Sequence, residues 1–349
     1  MSWPEKEFIV PGVINMLRAN MGLKAGERLL VVSDIPRPKD WVEETPALIK
    51  EMVERVMLGR MVADIAREKF SGCDVVFMPF PAVGTHGAEP DQATATRMRQ
   101  ADVVLALTTY SLSHTNARTE AVESGARLAS MPQFEANMFA PDGPLAVDAR
   151  QISRDCHKFA DLLSEAKEAL VRSPDGTELR FSLEGRNGQV DDGIYGKAPG
   201  SWGNLPAGEA FTTPLEGTGN GTLVAPEGWY PGLKEKMEFR IENGRVVDLQ
   251  GGGEVGDRFR RLLNLDRDDP LYVARRNLAE LGIGCNPNAR NPGNVLEAEK
   301  IKGTVHIAIG DNIHMGGQVE ADLHDDFVQP QADLILDGRA VILNGEWQV

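Results

Sequence analysis

The run 101-ADVVLALTTYS-111 is apolar at consecutive rather than alternate positions. A strand exposed on one face alternates apolar with polar residues; a strand covered on both faces, as in a parallel sheet flanked by helices, has no need to. Three further short β-rich runs, 29-LLVVSD-34, 73-CDVVFMPF-80 and 126-ARLASMP-132, accompany it. Between them lie 45-TPALIKEMVERVMLGRMVADIAREKF-70, with Leu48, Met52, Val53, Val56, Met57 and Met61 at helical spacing, and 113-SHTNARTEAVESG-125. Strands alternating with helices predict βαβ units, and so an α/β N-terminal domain with a mostly parallel sheet over residues 1–150.

A long amphipathic stretch, 147-VDARQISRDCHKFADLLSEAKEALVRS-173, predicts a helix stopped by 174-PDG-176. Beyond it the texture changes to hairpins. Asn243-Gly244 and Asp337-Gly338 are two-residue turn signals between apolar runs. Residues 151–349 are therefore expected to form a β-rich α+β domain, interrupted by a helix at 268-DDPLYVARRNLAEL-281 with Pro270 in its first turn. The glycine-rich pieces 217-GTGNGT-222 and 251-GGGEVGD-257 lack the Gly-Lys-Ser/Thr ending and the strand-to-helix setting of a phosphate loop and read as turns.

The chain has 349 residues, a net charge of -15 and a pI near 4.9. Such a surface repels nucleic acid and anionic membranes, which leaves small molecules as the expected partners. The start MSWPEKEFIV has no signal-peptide core, and no stretch approaches the roughly 18 apolar residues of a membrane span, so a cytoplasmic protein is expected. Cys73, Cys156 and Cys285 have neither disulfide-framework nor zinc-thiolate spacing.

Chemistry concentrates in 318-QVEADLHDDFVQP-330, where His324 lies among Glu320, Asp322, Asp325, Asp326 and the nearby Asp333. Carboxylates crowded together repel one another unless a cation sits among them. The bland alternative is a solvated acidic loop. In a strand His324 and Asp326 would point to one face and could reach the same ion. A second strand, 304-TVHIAIG-310, places His306 on a face otherwise made of small residues. Three glutamates complete the set: Glu299 seven residues before His306, Glu280 before GIG, and Glu209 in 204-NLPAGEAFTTP-214.

These motifs resemble the aminopeptidase T and aminopeptidase S family of two-metal metallopeptidases. Its G-E-x-F-T-x-P motif is matched by Gly208, Glu209, Phe211, Thr212 and Pro214, its second glutamate by Glu280, its E-x(6)-H strand by Glu299 and His306, and its H-x-D by His324 and Asp326. The resemblance implies two divalent ions (Zn, Co or Mn) held by Glu209, Glu280, His306, His324 and Asp326, with Glu299 as general base, in a homodimeric hydrolase cleaving an amide or short peptide. It departs where the family has a tyrosine and this chain has Ile313. The alternative is an Fe(II) ring-cleaving enzyme similar to the 2,5-dihydroxypyridine dioxygenases. Their H-x-D corresponds to His324 and Asp326, but their remaining histidine falls at Glu280, and they lack counterparts of Glu209 and His306. The retained ligand set favours hydrolysis on sequence alone.

Overall fold

A computed structural model describes residues 5–349. Contacts divide the chain into two units, one running through Gln151 and regaining Gly193–Ala207, the other formed by Ile152–Asp192 and Gly208–Val349.

The first unit is an α/β layer structure. Strands β1 (Arg28–Ile35), β2 (Asp74–Pro81), β3 (Val103–Ala106) and β4 (Arg127–Ser130) coincide with the four apolar runs and pair in parallel. Both faces of the sheet are covered: alternate side chains of β1 enter two different cores, Leu29 and Val31 in one, Leu30 and Val32 in the other. The long helix Pro46–Lys69 begins where the Thr45 hydroxyl accepts a hydrogen bond from the Leu48 amide, with proline at its first position.

The second unit is built from β5 (Glu168–Arg172), β6 (Glu178–Ser182) and β7 (Gln189–Asp191), after which the chain lends β8 (Trp202–Asn204) to the first sheet. It then continues through β9 (Glu209–Thr212), β10 (Asn220–Ala225), β11 (Met237–Glu242), β12 (Arg245–Gly251), β13 (Leu278–Gly284), β14 (Val305–Gly310), β15 (His324–Gln329), β16 (Asp333–Leu336), β17 (Arg339–Leu343) and β18 (Glu346–Trp347). Two antiparallel sheets result, ordered β12-β11-β10-β6-β5-β16-β17-β18 and β15-β14-β13-β9-β7. Both expected hairpin turns form, with Asn243, Gly244, Asp337 and Gly338 all at positive φ. The unit is thus the β-rich partner of an α/β domain, as the sequence predicts.

Three local expectations are corrected. The helix placed at 147–173 ends at Glu165, and EALVR becomes β5, because Ala169, Leu170 and Val171 are buried between β6 and β16. The helix placed at 268–281 spans only Pro270–Arg275, since Leu278 onward is a wholly buried strand. The piece 251–257 does join a strand to a helix, Gly253–Leu263, but the first helical amide, that of Gly253, already donates to the carboxylate of Glu235 at 2.8 Å.

Candidate metal centre

Strand register assembles the site. Ala308 on β14 pairs with Glu280 on β13 and Asp326 on β15; two residues away His306 pairs with Gly282, and Gly310 pairs with His324. Gly284 on β13 pairs with Glu209 on β9, which in turn pairs with Asp191 on β7. Paired residues share a face and the side-chain period is two, so Asp191, Glu209, Glu280, His306, His324 and Asp326 all project from one face of the sheet. The small residues between them leave that face room. Gly282 is the clearest case: a Cβ there would stand 1.9 Å from His306 Nε2. On the opposite face Phe327 packs against Phe239, Phe259 and Tyr230, with ring centroids 4.7, 5.4 and 5.5 Å away.

Two overlapping groups of donor atoms arise, Glu209–Glu280–His306 and Glu280–His324–Asp326, each with its atoms within 4.8 Å of one another. His324 Nδ1 donates to the carbonyl of Asp311 at 2.7 Å, which turns Nε2 toward Glu280 Oε2 at 3.1 Å and Asp326 Oδ1 at 3.7 Å. Asp326 Oδ1 is buried without a hydrogen-bond partner. An imidazole nitrogen and two carboxylate oxygens converging on one point, one of them otherwise unsatisfied, form a donor set that fits a divalent cation. His306 Nε2 lies 3.5 Å from both Glu209 Oε2 and Glu280 Oε1.

Without an ion, protons have to do the cation's work. Burial pulls both imidazoles down, but the carboxylates around them prevail: Glu280, Asp326 and Glu209 lift His306 to about 9, and Asp326 and Glu280 lift His324 well above its ordinary value. Burial pushes Asp326 up, yet His324, His306 and Lys300 hold it well below the usual carboxylate range. A divalent ion would take over the protons' role, since an imidazole ligates only through a deprotonated nitrogen.

Three other acidic residues in and near the 318–330 stretch go elsewhere. Asp325 accepts from the Tyr230 hydroxyl at 2.6 Å, Asp322 forms a two-pronged pair with Arg275, and Asp333 receives the Asn344 amide. Asp325 is of opposite parity to His324 and Asp326 on β15 and so cannot share their face. Glu299 is not on the strand that carries His306; it follows the short helix Val295–Ala298. Its Oε1 lies 2.9 Å from Lys300 Nζ, and burial raises its carboxyl well above the ordinary range. Ile313 lies on the turn Ile313–Met315 and is 39% exposed.

Two residues of the cluster carry no signal in the sequence reading, Asp191 and Lys300. Lys300 is 1% exposed, with Nζ 2.6 Å from Glu209 Oε1 and 3.6 Å from Asp191 Oδ2. Nothing near Lys300 in the chain marks it as buried, because its partners come from distant strands.

The architecture is that of an aminopeptidase-like fold, shared along the whole chain with wild-type AmpT from Thermus thermophilus at a TM-score of 0.65, with 17% identity over 99% of this chain and 100% of that one. The 2,5-dihydroxypyridine dioxygenase of Pseudomonas putida KT2440 has the same fold, with a TM-score of 0.71 and 19% identity over 99% and 98% of the two chains. The family of NicX, 2,5-dihydroxypyridine 5,6-dioxygenase, matches residues 17–349, and the chain belongs to it. A curated 2,5-dihydroxypyridine 5,6-dioxygenase from Pseudomonas putida KT2440 is 27% identical over 259 residues, 69% of this chain and 70% of its own length. Family membership thus falls on the side that the sequence reading gave as its alternative, while the likeness to the peptidase extends to the fold.

Proposed function

We propose that the protein is a metal-dependent dioxygenase that opens a dihydroxylated aromatic ring, with 2,5-dihydroxypyridines as the substrate class and Fe(II) as the working metal. The observation that carries this reading is the Glu280–His324–Asp326 cluster in a chain whose family and curated relative are 2,5-dihydroxypyridine 5,6-dioxygenases. A divalent ion held by one imidazole and two carboxylates would keep positions open, where a hydroxylated ring and dioxygen can be activated together. Asp311 fixes the ring of His324 so that Nε2 is presented as the donor. The Glu280 and Asp326 carboxylates would neutralise the ion's charge, and the burial of Glu280 limits competition from bulk water on that side.

A specific observation supports hydrolysis as the second reading. Glu280 belongs to both donor groups, so Glu209 and His306 offer a place for a second ion, and Glu299 would serve as base. The test is oxygen uptake with 2,5-dihydroxypyridine by Fe(II)-loaded protein, set against amide cleavage of aminoacyl substrates with Zn, Co or Mn. Glu299→Gln separates the readings further. Ring cleavage with full metal content is expected to persist in the variant, whereas a hydrolase would fall by something like 10² to 10⁴-fold, the usual worth of a general base. Metal-dependent amide cleavage without oxygen uptake would overturn the proposal.

A further inference from the structure

We infer that Lys300 is a resident cation at one end of this cluster, and that its ammonium confines ion binding to the Glu280–His324–Asp326 end. An ammonium has three donors and no acceptor. Those of Lys300 face Glu209 Oε1 at 2.6 Å, Glu299 Oε1 at 2.9 Å and Asp191 Oδ2 at 3.6 Å. A lysine 1% exposed is rare, and it is tolerated because paired charges surround it. Two of those partners, Glu209 and Glu299, are residues to which the peptidase resemblance assigns an ion and the base.

Glu209 is the pivot. One of its oxygens is committed to Lys300, and the other, Oε2, stands 3.5 Å from His306 Nε2. A dication among Glu209, Glu280 and His306 would share the Glu209 carboxylate with a fixed positive charge, in a buried place where water screens poorly. The other end differs. There Glu280 and Asp326 have His324 Nε2 as neighbour at 3.1 and 3.7 Å, a ligand atom rather than a resident ammonium. Lys300 therefore does at the Glu209 end what a second ion would do in a two-metal enzyme: it draws buried carboxylates together.

The inference rests on the metal centre proposed above and not on the reaction it performs. The test counts ions. Chelator-stripped protein is reloaded with Mn(II) under nitrogen, freed of excess metal and measured by elemental analysis and calorimetric titration. Wild type is expected to hold one ion per chain, Lys300→Met to take up a second, and Lys300→Arg to return to one. Glu209→Gln in the wild-type background is expected to keep the count at one ion, because the Glu280–His324–Asp326 donors are untouched. Two ions in wild type, one ion in a folded Lys300→Met protein, or loss of the ion in Glu209→Gln would each overturn the inference. Should Lys300→Met not fold, the wild-type count and Glu209→Gln decide. A two-ion wild type that still consumes oxygen with 2,5-dihydroxypyridine would sink this inference alone.

Discussion

Gly282 matters for what it lacks. It faces His306 across β13 and β14, and any Cβ would run into the imidazole. Gly282→Ala is expected to cost about 1–3 kcal/mol of stability, the usual penalty for overpacking a core, read as a lower denaturant midpoint. Asp40 allows a test of pH at a position remote from the metal centre in sequence. Its buried carboxylate receives the Arg37 amide and Nε at 2.7 and 3.0 Å and guanidinium Nη2 at 2.9 Å, and these bonds to Arg37 hold it below the ordinary range despite burial. A carboxyl depressed in the folded state stabilises above its unfolded value, about 3.9, and that contribution disappears as pH falls through the folded value. The difference in Tm between wild type and Asp40→Asn is therefore expected to be widest above about pH 4 and to close as the solution is acidified.

Elements were read best where their signals were local. The helix Pro46–Lys69 starts at a threonine cap followed by proline, both visible in the sequence. Removing the cap with Thr45→Ala is expected to cost about 1 kcal/mol, measured by urea unfolding. The hairpin turns at Asn243-Gly244 and Asp337-Gly338 follow from residues that accept positive φ. The misplaced helix ends have a common cause. Both Glu168–Arg172 and Leu278–Gly284 follow helical patterns without a break, and each becomes a strand because sheet neighbours on both sides supply its partners. Local propensity is a weak preference that tertiary pairing overrides.

At the scale of the whole molecule, the cluster's charge balance links metal binding to stability. Asp191, Glu209, Glu280, Glu299 and Asp326 are gathered near one lysine and two imidazoles, so an ion that binds only the folded state stabilises it. Stripping the metal is expected to lower Tm, and restoring Fe(II) or Mn(II) at one hundred times its Kd to return about 2.7 kcal/mol by linkage. Differential scanning fluorimetry with and without chelator measures it. No change in Tm over a thousandfold range of metal would leave the cluster without a cation role.

Local sequence signals sufficed for the α/β then β-rich arrangement and for the residue types that could ligate an ion, but not for β5 or β13. That Glu209, Glu280, His306, His324 and Asp326 could share one face was legible because the period of a strand and a set of short motifs are local, one-dimensional signals. Three facts come from the folded chain alone: Glu280 belongs to two donor groups, Asp325 turns away to Tyr230, and Lys300 lies against Glu209 and Glu299. The physical reason is register. Which carboxylate meets which cation is fixed by the pairing of β13 with β9 and β14, and by the position of Lys300 between Val295–Ala298 and β14. Pairing between strands far apart in the chain is set by the burial of whole faces, and no single stretch of sequence records it.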